Sequence, residues 1–166
     1  MTLTHDKLDI RTAITGDIAA LADSLSPIPS RRQIEQRLED CSPGYREMYV
    51  AVVDGLPVGT VSIGSEKTAE VPDALYLFAL DASLQYRNRG IGAAMISEVE
   101  NIARDRGLKY VTLGVGIDND DARRLYERLG FSQSGEPVWK GWIEFADDGA
   151  PISKGDTCAP MRKRVA

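Results

Sequence analysis

A strand, loop, helix and second strand between Ala74 and Val115 constrain the fold more than any other feature of the sequence. Ala74 to about Ala82 is an apolar run that predicts a strand, and Tyr110 to Val115 is a short, β-branched run that predicts a second one. The intervening helix has an apolar stripe and ends at Gly107. Because a helix crosses between the two strands, we expect them to be parallel, with the loop between Ala82 and the helix at an edge where open sheets bind ligands.

The other elements are predicted from hydrophobic periodicity and from their start and stop signals. They are a strand at Leu8 to Ile14, a helix from Gly16-Asp17 to Leu25, a helix from Arg31 to about Asp40 capped by Ser30, and a hairpin of Tyr45 to Val53 and Leu56 to Ser65. The hairpin turn is Asp54-Gly55, a dipeptide typical of tight turns. Glu66 to Asp73 is predicted to be a loop.

The carboxyl-terminal part predicts one more helix and two strands. Asp118 or Asn119 caps the helix, whose inner face carries Ala122, Leu125, Tyr126 and Leu129 and which ends at Gly130. The strands are predicted at Trp139 to Phe145 and Pro160 to Val165, separated by a loop from Asp147 to Asp156. No linker or repeat interrupts the chain, so residues 1–166 are predicted to form a single domain.

The composition excludes several classes of protein. Hydrophobic residues make up 43% of the 166 residues and charged residues 27%, which is ordinary for a folded globular protein. A net charge of −5 gives no basic field for nucleic acid, and no apolar run approaches the roughly 20 residues that span a bilayer. The first residues lack the pattern of a signal peptide, so a cytoplasmic location is expected, with neither nucleic acid nor membrane as a partner. Cys41 and Cys158 have no zinc-binding spacing, so free thiols and no metal are expected.

The loop Arg87-Asn88-Arg89-Gly90-Ile91-Gly92 opens the central helix and predicts a phosphate-binding site. Glycine lets a backbone approach a ligand closely, and the unpaired N–H groups of a first helical turn attract anions. A Rossmann dinucleotide site is excluded because Met95 stands where the third glycine is required, and a P-loop because no Gly-Lys-Ser/Thr follows.

Two motifs at this spacing resemble a known family. Arg-x-x-Gly-x-Gly between a strand and a helix, followed by Asn-x-x-Ala-x-x-Leu-Tyr-Glu-x-Leu-Gly-Phe on the next helix, resembles the GNAT family of N-acetyltransferases. The resemblance implies a mixed α/β fold with a mostly antiparallel central sheet, one parallel βαβ pair and flanking helices. It also implies transfer of the acetyl group of acetyl-CoA to a primary amine of a small molecule or peptide, directly within a ternary complex.

The resemblance assigns roles to individual residues. The backbone of the loop, Arg87, Asn88, Arg89, Gly90, Ile91 and Gly92, would hold the pyrophosphate of coenzyme A. Leu80 and Ala82 would align the pantetheine arm through their main chain, as in strand addition, and Asn119 would lie near that arm. Ala82 replaces a common valine and Leu84 a common proline, and neither change removes a carbonyl. Tyr126 would act as the general acid for the departing thiolate, since a phenol has a proton to donate at neutral pH.

The general base is not assigned by the sequence. Some family members have a glutamate at the start of the central strand, but Tyr76 stands at the aligned position here. Glu66, Glu70, Asp73 and Asp81 are the acidic residues nearby, and solvation at the surface is an alternative fate for each of them. The amine also needs no strong base if it arrives partly deprotonated.

The acceptor and the catalytic status stay open at this stage. The resemblance implies that the acceptor is a small amine, a polyamine, an amino acid or a protein amino group. A bulkier acyl group is an alternative to acetyl in the donor, and a non-catalytic acyl-CoA sensor is an alternative to an enzyme. The first two helices either wall the acceptor site or cover the sheet. Five carboxyl-terminal residues either shape an acceptor pocket or pack in the core or in a subunit contact, such as that of a homodimer. They are Trp139, Trp142, Glu144, Asp147 and Asp148.

Overall fold

The computed structural model describes residues 8–64 and 72–166, which form one mixed sheet with helices on both faces. The described strands are β1 (Leu8–Thr12), β2 (Glu47–Val53), β3 (Leu56–Gly64), β4 (Ala74–Ala82), β5 (Tyr110–Gly116), β6 (Ser132–Gln133), β7 (Val138–Phe145) and β8 (Pro151–Arg164). The described helices are α1 (Ile18–Leu25), α2 (Arg31–Glu39), α3 (Ile91–Asp105) and α4 (Asp120–Arg128), with short 3-10 turns at Thr15–Asp17 and Leu84–Tyr86. Most of the predicted loop from Glu66 to Asp73 lies outside the described residues.

The sheet confirms the predicted fold class. Its order is β1-β2-β3-β4-β5-β8-β6, with β7 paired to β8. All described ladders are antiparallel except the one between β4 and β5, which is parallel because α3 crosses between the two strands. None of the helices in the described ranges is long and apolar enough to cross a membrane.

A hydrophobic core lies on each face of the sheet. Alternate residues of β2 point to opposite faces, so Val53 joins the core beneath α3 and α4, whereas Val50 joins the core beneath α1 and α2. Fully burying a side chain of this size contributes about 1.5–3 kcal/mol, so both layers hold the sheet. The face beneath α3 carries the larger core and supports the βαβ unit.

Strand β4 departs from regular geometry at the point where it leaves β5. Its parallel pairing with β5 covers only Ala74 to Tyr76. Further along, Thr60 of β3 opposes Asp81 and Ser62 opposes Phe78, so two residues of β4, Ala79 and Leu80, oppose one residue of β3. This is a β-bulge, and Ala79 has a φ of +50°. The bulge shifts by one residue which side chains face each layer.

The predicted loop from Asp147 to Asp156 is wrong in its second half. Residues from Pro151 onward already belong to β8, whose first half forms an antiparallel hairpin with β7 and whose second half lies between β5 and β6. The segment is rich in glycine and charge and so has low strand propensity, but the ladder to β7 supplies the backbone hydrogen bonds. Pro151 occupies the first position of the strand, where proline costs no ladder hydrogen bond.

Local signals determine the turns and helix starts as expected. Asp54 and Gly55 have φ values of +50° and +82°, which a type I′ hairpin turn requires. The Ser30 side chain accepts a hydrogen bond from the Gln33 N–H at the start of α2. The cap of α4 is Asn119, not Asp118.

Candidate active site

The edge of β4 that faces β5 is open beyond Tyr76. Within the described residues, no strand pairs with this edge from Leu77 to Ala82, because β5 diverges after Thr112. Leu80, the second residue of the bulge, and Ala82 beyond it pack their side chains against the core beneath α3. Their backbone is therefore at a free edge, which an extended ligand can extend like an added strand.

This edge leads directly to the loop from Arg87 to Gly92. Gly90 is the N-terminal cap of α3 with a left-handed φ of +84°, and Asn88 also has a positive φ of +61°. Ile91 is buried and anchors the helix, whereas Arg87, Asn88, Arg89 and Gly90 are exposed. A Cβ added at Gly92 would meet no atom within 4 Å. The side-chain position of Gly92 in the first turn of α3 thus faces open space next to an exposed loop, which leaves room for a phosphate at the helix start.

Tyr126 lies on α4 and is half-buried against the core beneath α3. Its ring meets Phe131 edge-on, with 6.1 Å between centroids. Burial raises the pKa of the Tyr126 phenol, and the negative charge of Asp81 raises it further. The hydroxyl makes no hydrogen bond to another residue of the described ranges. The phenol of Tyr126 is therefore protonated, has no partner in the described ranges, and lies close enough to Asp81 to be affected by its charge.

Asn119 has a structural task at the start of α4. Its side-chain oxygen accepts a hydrogen bond from the Ala122 N–H at 3.2 Å, which satisfies one of the unpaired donors of the first turn. Its amide nitrogen has no partner among the residues described. The side chain can therefore cap the helix and still donate a hydrogen bond to a ligand.

A cavity of about 470 Å³ lies on the opposite face of β4, between α2 and the hairpin of β7 and β8. Its floor is the stacked pair Tyr76 and Phe78, whose ring centroids are 5.3 Å apart. From α2, Gln33 and Arg37 line the cavity. Helix α2 therefore walls this site, whereas α1 covers the sheet with Leu21 and Leu25.

Of the acidic residues named from the sequence, Asp81 is at this cavity. The bulge turns its carboxylate toward α2, where Arg37 donates a hydrogen bond to it at 2.9 Å. Asp73 lies at the other end of β4, where its carbonyl accepts hydrogen bonds from the Lys109 and Tyr110 N–H groups. Glu66 and Glu70 lie outside the described residues.

The carboxyl-terminal residues proposed for an acceptor pocket divide between two locations. Trp142 and Glu144 line the cavity, and the Trp142 indole N–H donates to the Glu144 carboxylate at 2.6 Å. Trp139 is 70% exposed and its ring lies across the two hairpin glycines instead. Asp147 and Asp148 accept hydrogen bonds from the Arg32 and Ala150 N–H groups and do not line the cavity.

Sequence reasoning missed several residues of the cavity. Arg37, Arg46, Lys140 and Cys158 line it, although none belongs to the recognised motifs. A weak signal exists for Arg37, which lies four residues after Gln33 and next to the apolar face of α2. No comparable signal exists for Lys140, because its position depends on the hairpin that sequence analysis placed partly in a loop. In the described ranges, no group of acidic, histidine or cysteine side chains is arranged to hold a metal ion.

An open sheet with one diverging parallel pair, a bulged central strand and a glycine loop before the central helix defines a class of fold. Residues 17–131 match the model of the acetyltransferase (GNAT) family. The chain therefore belongs to this family.

Curated relatives match a little over half of the chain. An uncharacterised N-acetyltransferase of Methanocaldococcus jannaschii is 36% identical over 100 residues, which cover 57% of this chain and 42% of that protein. The mycothiol acetyltransferase of Brachybacterium faecium is 39% identical over 111 residues, which cover 66% of this chain and 33% of that protein. The chain thus spans less than half the length of these relatives.

Solved structures match almost the whole chain. A GNAT family acetyltransferase from Elizabethkingia anophelis with acetyl-CoA bound has a TM-score of 0.64 and 17% identity, over 96% of this chain and 99% of that one. At this level of identity the likeness supports the fold, including the hairpin of β7 and β8 that lies beyond the family model.

Proposed function

We propose that residues 1–166 form one N-acetyltransferase domain that transfers the acetyl group of acetyl-CoA to a primary amine of a small molecule or peptide within a ternary complex. One observation carries this proposal. The open edge of β4 ends at the glycine loop of α3, with the phenol of Tyr126 on one side and a cavity on the other. An extended donor and a separate acceptor can therefore meet at the bulge.

The donor would be bound mainly by backbone. The N–H groups from Arg87 to Gly92 would hold the pyrophosphate, with the exposed Arg87 and Arg89 adding positive potential. The main chain at Leu80 and Ala82 would pair with the pantetheine arm, and the Asn119 amide would donate to it. These contacts lead the donor from the loop toward the point where β4 and β5 diverge.

The transfer needs one bond to form and one to break. The amine nitrogen attacks the thioester carbonyl, the new C–N bond forms, and the C–S bond breaks with release of the thiolate. The amine loses a proton, which the Asp81 carboxylate can accept directly or through water. Tyr126 can donate a proton or hydrogen bond to the thiolate. Its raised pKa makes it a weaker acid but keeps it protonated wherever amines begin to deprotonate.

The test is thiol release from acetyl-CoA by the purified protein across a panel of primary amines, with calorimetry of acetyl-CoA binding alongside. Amine-dependent release supports the transferase. Tight acetyl-CoA binding without release for any amine, including peptides with a free amino terminus, supports an acyl-CoA sensor of the same fold instead. A larger acyl donor is tested by exchanging acetyl-CoA for longer acyl-CoA thioesters in the same assay.

A further inference from the structure

The charges that line the cavity differ from those of the chain as a whole. The chain carries a net charge of −5, but three cations and two carboxylates line the cavity. Both carboxylates already have donors, since Asp81 accepts from Arg37 at 2.9 Å and Glu144 from the Trp142 indole at 2.6 Å. The lining therefore favours a ligand that brings an anionic group.

Lys140 is the cation best placed to receive that group. It projects from β7 over the Tyr76 ring, with its ammonium 5.2 Å from the centroid. A Cβ built at Gly114 of β5 would lie 3.5 Å from the same Nζ, an ordinary van der Waals distance, so the ammonium lies directly beside β5 as well. The ammonium is thus above the point where β4 and β5 diverge. Among residues 8–64 and 72–166, no carboxylate lies within ion-pair distance of it.

The floor of the cavity is apolar and aromatic. Tyr76 and Phe78 stack with an interplanar angle of 17°, Lys140 lies over the first ring, and Arg46 lies over the second at 4.7 Å. Arg46 is also held by a hydrogen bond to the Ser62 hydroxyl. An apolar or aromatic group can pack on these rings, and a volume of about 470 Å³ suits a small molecule.

We infer that the acceptor is an amino acid with an apolar side chain, whose carboxylate binds Lys140 and whose side chain packs on Tyr76 and Phe78. This inference rests on the proposed transferase function and specifies the substrate of the same site. The α-amino group, one carbon from the carboxylate, then lies beside the bulge and Asp81. A polyamine is disfavoured because both carboxylates of the lining are engaged and Lys140 would repel a second positive charge.

The test compares L-phenylalanine with L-phenylalaninamide, in which an uncharged carboxamide replaces the carboxylate, in the wild type and in Lys140→Met. A charge-assisted hydrogen bond contributes about 1.5–3 kcal/mol, so Lys140→Met should raise the KM for L-phenylalanine by roughly tenfold or more. The KM for the amide should change less than about twofold, since it makes no such contact. Because each substrate is compared with itself, the different basicity of the two amines does not affect the result.

Two control variants isolate the charge of Lys140 from folding. Lys154→Met removes an exposed lysine from the facing strand of the same hairpin and should change neither KM. Lys140→Arg should retain most of the preference for the carboxylate. Three outcomes would overturn the inference. They are an equal rise in KM for both substrates in Lys140→Met, a loss of acetyl-CoA affinity in the same variant, and faster turnover of spermidine than of either substrate by the wild type.

Acceptor binding gives a readout that is independent of turnover. Calorimetry with coenzyme A present should show tighter binding of L-phenylalanine or L-leucine than of L-phenylalaninamide, and Lys140→Met should abolish the difference. If no amine is acetylated, the proposed transferase function fails while this measurement still tests the cavity. Absence of binding by both amino acids, or equal binding of acid and amide, would overturn the inference.

Discussion

Tyr126 is the residue whose replacement most directly tests the chemistry. Tyr126→Phe removes the hydroxyl but keeps the ring that packs edge-on against Phe131, so the fold should be retained. Because general acid catalysis contributes about 10²–10⁴-fold, kcat should fall on the order of 10²-fold, while the Kd for acetyl-CoA stays within about twofold. Steady-state kinetics and calorimetry measure the two quantities. Tyr110→Phe, at the start of β5 away from the cavity, is the matched control, and an unchanged kcat in Tyr126→Phe would remove the phenol from the mechanism.

Asp81 and Tyr126 should be coupled through their charges. The Asp81 carboxylate contributes to the raised pKa of the phenol, because a nearby negative charge opposes formation of phenolate. Asp81→Asn should therefore lower the pKa of Tyr126, although burial will still hold it above the usual value. Nuclear magnetic resonance titration of labelled tyrosine, with Tyr126→Phe to assign the signal, measures this shift. A phenol pKa that stays constant or rises in Asp81→Asn would contradict the coupling.

At the residue scale, the motif residues have a signature along the chain, whereas the cavity has none. Gly90, Gly92, Asn119 and Tyr126 belong to local patterns whose spacing is visible along the chain. Asp81 was one of four acidic candidates, and only the bulge at Ala79 turns it toward α2 instead of toward the core. A bulge depends on pairing with β3 and has no signature in β4 alone.

The glycine loop at the start of α3 allows a test at the scale of an element. Gly92→Val adds a side chain into open space and places a better helix former than glycine in the helix, so stability should not fall. If the pyrophosphate lies against this backbone, the Kd for acetyl-CoA should rise by roughly tenfold or more, about 1.4 kcal/mol. Chemical denaturation and calorimetry measure the two effects.

Gly90 provides the contrast needed to interpret that result. Its φ of +84° means that most side chains are strained there, so a bulky residue would weaken binding and stability together. Among non-glycine residues, asparagine is one of those that best tolerate the left-handed conformation, so Gly90→Asn should cost little stability. A stable Gly92→Val variant with normal acetyl-CoA affinity would rule out the phosphate-binding role of the loop.

Helix α2 and the hairpin of β7 and β8 form the cavity together. Ser30 caps α2 and also donates a hydrogen bond to the Phe145 carbonyl, and the Gln33 side-chain oxygen accepts from the Phe145 N–H at 2.8 Å. The same residues that begin the helix therefore attach it to β7. The sequence predicted the cap, but the attachment spans more than 100 residues and depends on where β7 folds back.

The stability of the whole molecule should depend on pH through Asp17. This buried carboxylate accepts hydrogen bonds from the Arg11 guanidinium at 2.8 and 2.9 Å, and this pairing holds its pKa below the usual value. Because the pKa of Asp17 is lower in the folded than in the unfolded state, its ionised carboxylate stabilises the fold. This stabilisation is fully present above the unfolded-state pKa of about 3.9 and is lost as the pH falls through the folded-state pKa.

Asp17→Asn tests this dependence. The variant should unfold more easily than the wild type at pH 7, because it leaves Arg11 without its carboxylate partner. The difference should shrink as the pH is lowered from about 4 toward 2, since wild-type Asp17 becomes protonated. Urea denaturation at a series of pH values measures it. A difference that is independent of pH would contradict the assigned role of the carboxylate.

The sequence by itself determined most of the elements and the order in which they follow each other. The hydrophobic period, the caps Ser30 and Asn119 and the Asp54-Gly55 turn are local features, so the parallel βαβ unit, the hairpin of β2 and β3 and the glycine loop before α3 were all predictable. Only the tertiary structure decided where the chain leaves its regular patterns. The bulge in β4 and the extension of β8 through a glycine-rich segment arise from pairing with distant strands, and that pairing brings α2, β4 and β7 together around one cavity.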